Sequence, residues 1–427
     1  MTLADPPVIF ADRDAQSALA KRADNVLSAM REWGVGRLDE KETVHFCGLV
    51  HHPESGSVVF LPRESRTGDD TEDLNTASLT LQALARFGAE TSKRDLEEDG
   101  EVGNPGILSV IKRLSDDFRR HGLFSERTRA HTRNSGKPDW GRTIKNEIAM
   151  PDRNGQPVFT DIRTSRAARN TDALLSQIQA AVLREVYAAH SWWLSGSASE
   201  QQTLSLCSRP PFPRSIWAKK LDGLLPSLYS ARSLFLAEYL RYYLRETRAS
   251  QDGTFVFGVS DFHTVWETIL RETAIRSSSD RRRNWNSELP RPTYYYSGSD
   301  GHVARSRGMQ TDIILEHSSS FTIVDAKYYA ATSAETAPGW PDIAKQIFYE
   351  KALREVVQLE GGPATKIDNV FAFPSLGNDG HLERAEMTHV DGSAVSDAFT
   401  PVVCSYISVK EALSHYVSRT QGIDLRV

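Results

Sequence analysis

Residues 311–329 read TDIILEHSSSFTIVDAKYY and contain two short apolar runs on either side of a polar segment. The runs at 311–315 and 321–329 are rich in β-branched residues, as strands are. The residues between them, 316–320, are polar and turn-like. The stretch therefore predicts an antiparallel hairpin within a β-sheet.

The predicted hairpin would bring two carboxylates together, because Asp312 lies near the start of the first strand and Asp325 near the end of the second. Side chains alternate along a strand, so Asp325 and Lys327 project to one face while Ala326 points away. Like carboxylates repel, and a divalent cation commonly relieves that repulsion. A simpler interpretation is an exposed Asp325–Lys327 ion pair with Asp312 in a turn, but the acid on the neighbouring strand favours a catalytic site.

These residue types predict a specific chemistry. We expect Asp312 and Asp325 to bind Mg²⁺, with Mn²⁺ able to substitute for it. The metal would polarise a phosphate and activate a water. Lys327 would orient that water or stabilise the charge that develops on the phosphate oxygens. The predicted reaction is phosphodiester hydrolysis.

The chain of 427 residues exceeds the size at which single hydrophobic cores usually stop growing, so several domains are expected. The pattern predicts a mixed N-terminal α/β domain over 1–165, which binds DNA or a partner, and a helical region over 166–250. Beyond it, strands and helices alternate over 251–427 and predict a mixed β-sheet flanked by helices. The predicted fold class is α/β, of the α+β kind.

The composition is that of an ordinary soluble protein, with 39% apolar and 25% charged residues. No stretch approaches the roughly 20 apolar residues that span a bilayer. Residues 1–14 lack a basic region followed by an apolar core, so we expect a cytoplasmic protein without membrane contact. The three cysteines, Cys47, Cys207 and Cys404, share no C-x-x-C spacing, which argues against a disulfide framework and a zinc ribbon.

The net charge of -5 gives no overall attraction to nucleic acid, so any phosphate contact must come from local basic patches. The clearest basic stretch runs from Arg127 to Arg142 and looks turn-rich. It predicts either a phosphate-binding loop or a solvated charged surface, and the sequence leaves both alternatives open.

The arrangement of Asp312 and Asp325-Ala326-Lys327 resembles the PD-(D/E)xK nuclease signature, in the variety found in McrC-like and RecB-like enzymes. The resemblance implies a restriction-endonuclease-like core in the C-terminal domain. It also implies a further acid from an upstream helix that binds the metal. Glu267 in the segment WETILRE fits this position, with Glu272 as the alternative.

The same family carries a Gln and a Tyr on the helix after the catalytic lysine. Gln346 and Tyr349 match these types in the predicted helix that starts at Trp340. Two residues separate them here, whereas the usual spacing has three. The resemblance implies that Gln346 holds substrate or a metal-bound water, while Tyr349 either joins the site or packs in the core.

Three more segments resemble the LlaJI-type restriction endonuclease subunit: residues 46–48 (FCG), 136–144 (GKPDWGRTI) and 340–342 (WPD). The resemblance implies a DNA endonuclease that cuts together with a separate McrB-like AAA+ GTPase, in a restriction or phage-defence system. The chain has no G-x-x-x-x-G-K-[ST] motif, so the motor is expected to be another chain. Two cuts in a duplex need two active sites, and this requirement predicts a homodimer on DNA. A RecB-like exonuclease and a non-catalytic adaptor that binds DNA or stimulates a GTPase are the alternatives.

Overall fold

The computed structural model describes residues 6–32, 36–38, 43–52, 56–91, 106–170, 173–194, 198–247, 255–277, 283–297, 302–304, 308–318, 320–359, 366–377, 382–393, 395 and 399–426. The predicted domain boundary at residue 250 lies outside these described residues.

Helices and strands occur along the whole of the described chain, with turns and loops between them. The α-helices are α1 (Gln16–Glu32), α2 (Asp70–Thr91), α3 (Gly106–His121), α4 (Trp140–Asn146), α5 (Leu174–Leu194), α6 (Ala198–Ser205), α7 (Trp217–Leu224), α8 (Ala231–Glu246), α9 (Phe262–Thr273), α10 (Trp340–Leu359) and α11 (Val409–Ser418). The strands are β1 (Val8–Ala11), β2 (Arg37–Leu38), β3 (Val44–His45), β4 (Cys47–His52), β5 (Gly56–Leu61), β6 (Glu126–Arg133), β7 (Lys137–Pro138), β8 (Met150–Pro151), β9 (Pro157–Val158), β10 (Arg163–Asn170), β11 (Phe255–Val259), β12 (Thr293–Tyr295), β13 (His302–Ala304), β14 (Ile313–Glu316), β15 (Ser320–Ala326), β16 (Lys366–Ser375), β17 (Arg384–Ala385) and β18 (Val402–Ser408). This content confirms the predicted α+β class.

The chain divides into two compact units. One comprises residues 1–4 and 110–249, and the other comprises 5–109 and 250–427. The sequence predicted that residues 5–109 belong to an N-terminal domain. In the structure they form one compact unit with residues 250–427 instead. The reason is that β11 pairs antiparallel with β4, with Phe257 opposite Leu49, and completes the sheet β1-β5-β4-β11.

The larger unit contains a second sheet of five strands in the order β14-β15-β16-β18-β17. The predicted hairpin is confirmed, because β14 and β15 pair antiparallel. Strands β15, β16 and β18 run parallel, and β17 returns antiparallel. The central strand β16 carries the buried run Val370-Phe371-Ala372-Phe373, as expected for a strand covered on both faces. Helix α10 packs on β15 and β16.

The smaller unit contains helices α5 to α8 and a β-ribbon. Strands β6 and β10 pair antiparallel over eight residues each, and β7 adds to β10. The loop predicted for the basic stretch 127–142 is therefore wrong in its first part, which forms strand β6. Hydrogen bonds to β10, which follows later in the chain, override the local turn signals. Among the helices of the described chain, none is long and apolar enough to cross a membrane.

Candidate functional site

The β14–β15 hairpin places Asp312 and Asp325 side by side at one end of the five-stranded sheet. Ile313 pairs with Val324, so the next positions outward along the two strands are Asp312 and Asp325. The backbone N–H of Ala326 donates a hydrogen bond to Oδ2 of Asp312 at 2.8 Å. The alternation along β15 leaves the side chains on either side of Ala326 available to the site.

The electrostatics of Asp312 show how crowded this strand end is. Burial, together with the negative charges of Glu267 and Asp325, raises the pKa of Asp312 to about 7. A hydrogen bond with the Asp325 carboxyl group acts in the same direction, while the Ala326 N–H opposes it. Neighbouring negative charge thus disfavours the ionised form of Asp312, and a bound cation would relieve that repulsion.

Lys327 lies between two carboxylates. Its Nζ is 2.7 Å from Oδ2 of Asp325 and 2.7 Å from Oδ1 of Asp342. Burial alone would lower the pKa of Lys327, but the two carboxylates outweigh burial and raise it overall. Its backbone N–H donates to the carbonyl of Ala372 on β16 at 2.9 Å, which fixes the strand end. Lys327 is therefore a protonated donor at neutral pH.

Asp342 is a residue of the site that the sequence did not single out. It lies in the first turn of α10, where an acidic side chain also interacts favourably with the helix dipole. An acid in the first turn of the helix after a D-x-K pattern was the available signal. A loop separates Asp342 from Lys327 in the chain, and local sequence patterns do not predict the path of that loop. They therefore did not predict this contact.

Glu267, chosen from the upstream helix, lies on α9 near the carboxylate pair. Val265, Trp266 and Ile269 of this helix are buried and fix its orientation. Burial raises the pKa of Glu267, and among the smaller influences the charge of Asp325 also raises it. The alternative acid, Glu272, instead pairs with Arg86. Glu267 is thus the acid of α9 that shares the electrostatic environment of the site.

Gln346 is completely buried on α10, and neither atom of its amide has a hydrogen-bond partner among the described residues. It makes no hydrogen bond to Asp312, Asp325 or Lys327. Leaving a buried amide unsatisfied costs about 1–3 kcal/mol. Such a group in a native protein needs an explanation, and a bound water or ligand atom is one.

Tyr349 donates a hydrogen bond from its hydroxyl to the carbonyl of Gln310 at 2.6 Å. Burial raises the pKa of Tyr349, and the charges of Asp325 and Asp312 add to this. Its ring also packs against the apolar cluster around Leu353. Tyr349 is therefore half-buried against the core and lies within electrostatic reach of the two aspartates, despite the shortened spacing from Gln346.

A cleft of about 1160 Å³ in the larger unit reaches Glu267 and Asp312. Its lining includes the arginines Arg86, Arg271, Arg276, Arg283 and Arg419. Arg271 connects the cleft to the site, because its Nε donates to the backbone carbonyl of Asp312 at 3.1 Å. Guanidinium groups beside acidic residues suit an anionic polymer whose phosphates must approach carboxylates.

The donor set of the site meets part of what a divalent metal requires. Within the described part of the chain, no group of three or more His, Cys, Asp or Glu side chains is arranged to hold a metal ion. Mg²⁺, however, commonly uses one or two carboxylates and completes its shell with waters and substrate phosphate. The Asp312–Asp325 pair, with its raised Asp312 pKa, fits this mode of binding.

No curated protein matches the chain. The family model described as LlaJI restriction endonuclease matches residues 46–410, a range that includes Glu267, Asp312, Asp325, Lys327 and Gln346. The chain therefore belongs to the LlaJI restriction endonuclease family and is a restriction endonuclease-type subunit.

Proposed function

We propose that the chain is a Mg²⁺-dependent DNA endonuclease with a PD-(D/E)xK core, and the cutting subunit of a McrBC/LlaJI-like restriction or phage-defence system. The observation that carries the proposal is the convergence of Asp312, Asp325 and Lys327 at one end of the β14–β15 hairpin. The sheet around this hairpin is mixed and has α10 packed on it, as the resemblance implies.

Asp312 and Asp325 would hold the metal, and Mn²⁺ would substitute for Mg²⁺. Glu267 would be a further ligand by way of a metal-bound water, because the three carboxylates do not already form a direct metal-binding group in the described part of the chain. When bound, the ion supplies Lewis-acid chemistry that polarises the scissile phosphate and lowers the pKa of a water. The raised pKa of Asp312 supports this assignment, because a cation would replace the proton that Asp312 holds and offset the neighbouring negative charge. Neither carboxylate then remains an uncompensated charge.

Lys327 would donate hydrogen bonds to the phosphate or to the attacking water. During hydrolysis the attacking water loses a proton to solvent and its oxygen bonds to phosphorus, while the bond from phosphorus to the leaving oxygen breaks and that oxygen takes up a proton from solvent. Negative charge accumulates on the phosphate oxygens, and a fixed ammonium group stabilises it. Asp342 would hold Lys327 in place at 2.7 Å.

Gln346 would provide the polar group that orients the attacking water or a phosphate oxygen. Its unsatisfied amide supports this role, since a ligand would remove the cost of burying it. Arg271, whose guanidinium lies at the carbonyl of Asp312, would bind a phosphate that flanks the cut. The family to which the chain belongs supports DNA as the substrate.

A separate McrB-like AAA+ GTPase would be the motor of the system. The absence of a P-loop motif from the full sequence supports a division of labour between two chains. Two chains would meet on DNA to cut both strands, because one copy of the chain provides one candidate site.

The test is cleavage of a covalently closed plasmid with Mg²⁺ and the co-expressed motor protein. Wild type is expected to open the circle, whereas Asp325→Ala and Lys327→Ala are expected to lose cleavage. Lys351→Ala, which replaces an exposed lysine on α10, is the matched control and should retain it. Digestion of linear DNA alone would indicate an exonuclease. Full cleavage by both site variants would refute the catalytic assignment, and no cleavage with any divalent metal would favour an adaptor.

A further inference from the structure

The ribbon of strands β6 and β10 in the smaller unit has arginines at opposing positions. The register pairs Arg133 with Arg163. Like charges directly opposite each other in an antiparallel pair destabilise it. Glu147 compensates in part, because its carboxylate contacts both guanidinium groups. This end of the ribbon still concentrates more positive charge than a single carboxylate balances.

The segment around α4 adds further cations. Four of them have exposed side chains, and none has a carboxylate partner within the described ranges: Lys137, Arg142, Lys145 and Arg153. Unpaired cations clustered in one segment attract polyanions, and a phosphate backbone is the polyanion that a nuclease meets.

The acids of the same segment are engaged locally. Asp139 accepts a hydrogen bond from the backbone N–H of Arg142 at 3.1 Å and caps α4. Asp152 accepts backbone N–H groups within its own turn. Asp161 accepts from the side-chain amide of Asn134 at 2.9 Å. These carboxylates therefore shape turns and a helix end rather than neutralise the neighbouring cations.

Helix α4 also presents an aromatic ring. Trp140 is 52% exposed, with its ring 6.5 Å from that of Phe159. The helix is fixed to the ribbon, because Oγ1 of Thr143 accepts from the N–H of Arg163 at 2.9 Å. An exposed indole among cations is typical of surfaces that bind single-stranded nucleic acid, where aromatic rings stack on bases, and the cations by themselves suit the phosphates of a duplex. Exposed apolar side chains such as Ile148 would also suit a protein partner, but the unpaired cations favour a polyanion.

We propose that the β6–β10 ribbon and α4 form a second DNA-contacting surface, on a different unit of the chain from the candidate hydrolytic site. The inference rests on the proposed function, since it takes DNA to be the substrate. Contacts of Arg142, Lys145 and their neighbours with the phosphate backbone would be strong but independent of sequence. Such a patch would supply the attraction that the net charge of -5 does not.

The experiment compares two double variants with equal loss of charge. Arg142→Gln/Lys145→Gln removes two of the unpaired cations, and Arg209→Gln/Lys219→Gln removes two exposed cations elsewhere in the same unit. Binding of a short fluorescent duplex is measured in EDTA over a series of salt concentrations. The Arg142→Gln/Lys145→Gln variant, called the ribbon variant below, is expected to bind roughly tenfold more weakly than wild type. The slope of log affinity against log salt should fall by about 2.

The control variant should bind like wild type, and circular dichroism and thermal unfolding should show that both variants fold. If the ribbon variant has the same affinity and salt slope as wild type, the inference is wrong. The surface would then suit a protein partner instead. Plasmid cleavage separates this result from the proposed function. A ribbon variant that cleaves normally at saturating DNA leaves the active site intact, whereas a wild type that binds DNA through the ribbon but never cleaves refutes only the catalytic proposal.

Discussion

Nζ of Lys327 lies 2.7 Å from Oδ1 of Asp342, and this contact joins the end of strand β15 to the first turn of helix α10. The ammonium group is therefore held from two sides, by Asp325 on its own strand and by Asp342 on the helix. Because the side chain of Lys327 is already fixed, little conformational entropy is lost when it contacts a phosphate. Asp342 is thus expected to act on the reaction through Lys327, as a positioning residue.

Replacing Asp342 by Asn tests this role. The variant retains side-chain size but loses the charge that holds Lys327, and we expect kcat to fall roughly 10- to 100-fold with little change in KM. Because Asp342 also raises the pKa of Lys327, the alkaline limb of the pH–rate profile should move to lower pH. Asp70→Asn, in the first turn of α2, controls for the loss of a first-turn acid. An unchanged pH profile would leave Asp342 with a structural role only.

The pKa of Asp312 predicts how stability depends on pH without metal. The ordinary pKa is 3.8 and the folded value is about 7, so between these values the folded state holds a proton that the unfolded state has lost. Stability therefore falls as pH rises through this window, and the full penalty persists above pH 7. Each pKa unit corresponds to about 1.4 kcal/mol. Asp312→Asn removes the charge and should stabilise the fold above pH 7 by up to about 4 kcal/mol.

The measurement is thermal unfolding in EDTA between pH 4 and pH 8. The curves of wild type and Asp312→Asn should meet near pH 4 and separate as pH rises. Glu383→Gln, which removes a carboxylate that is 87% exposed, should follow wild type. Parallel curves for wild type and Asp312→Asn across the range would show that Asp312 ionises normally. Added Mg²⁺ should stabilise wild type at pH 8 and have less effect on the variant.

Local sequence patterns predicted the parts of the site that lie close together in the chain. The alternation in Asp325-Ala326-Lys327 and the turn before it determine the hairpin, and the hairpin alone brings Asp312 to Asp325. The two strands and the turn that produce these contacts lie within roughly fifteen residues of one another in the chain. The same patterns therefore predicted the most crowded group of carboxylates in the site.

Contacts between distant segments did not follow from such patterns. The pairing of β4 with β11 joins two segments that are far apart in the chain. It depends on the path of the chain between them, and the alternation of apolar residues within a strand does not determine that path. Strand β6 was predicted as a loop because charges and turn residues dominate its composition, whereas pairing with β10 decides its conformation. The burial of Gln346 depends likewise on how α10 lies on the sheet.

The two acids of α9 offer a direct test of the third carboxylate. Glu267→Gln is expected to weaken Mg²⁺ binding and to reduce cleavage at least roughly 100-fold, because a ligand beside the carboxylate pair is lost. Glu272→Gln is the matched control, since this acid lies on the same helix but pairs with Arg86. It should change stability by less than about 1 kcal/mol and leave cleavage at saturating Mg²⁺ intact. The readouts are the Mg²⁺ dependence of the unfolding temperature and plasmid cleavage. Equal effects of the two variants on Mg²⁺ dependence would remove Glu267 from the site.

Gln346 allows stability and activity to be separated. Gln346→Leu replaces an unsatisfied buried amide by an apolar side chain of similar size, and we expect it to stabilise the fold by about 1–2 kcal/mol. The same change should lower cleavage by at least roughly tenfold, because the group that orients water or phosphate is lost. Gln179→Leu is the contrasting control: its Oε1 accepts the backbone N–H of Phe124 at 2.7 Å, so its loss should destabilise the fold. Denaturant unfolding and plasmid cleavage measure the two quantities. If Gln346→Leu destabilises the protein while cleavage persists, Gln346 has a partner in the core and no part in hydrolysis.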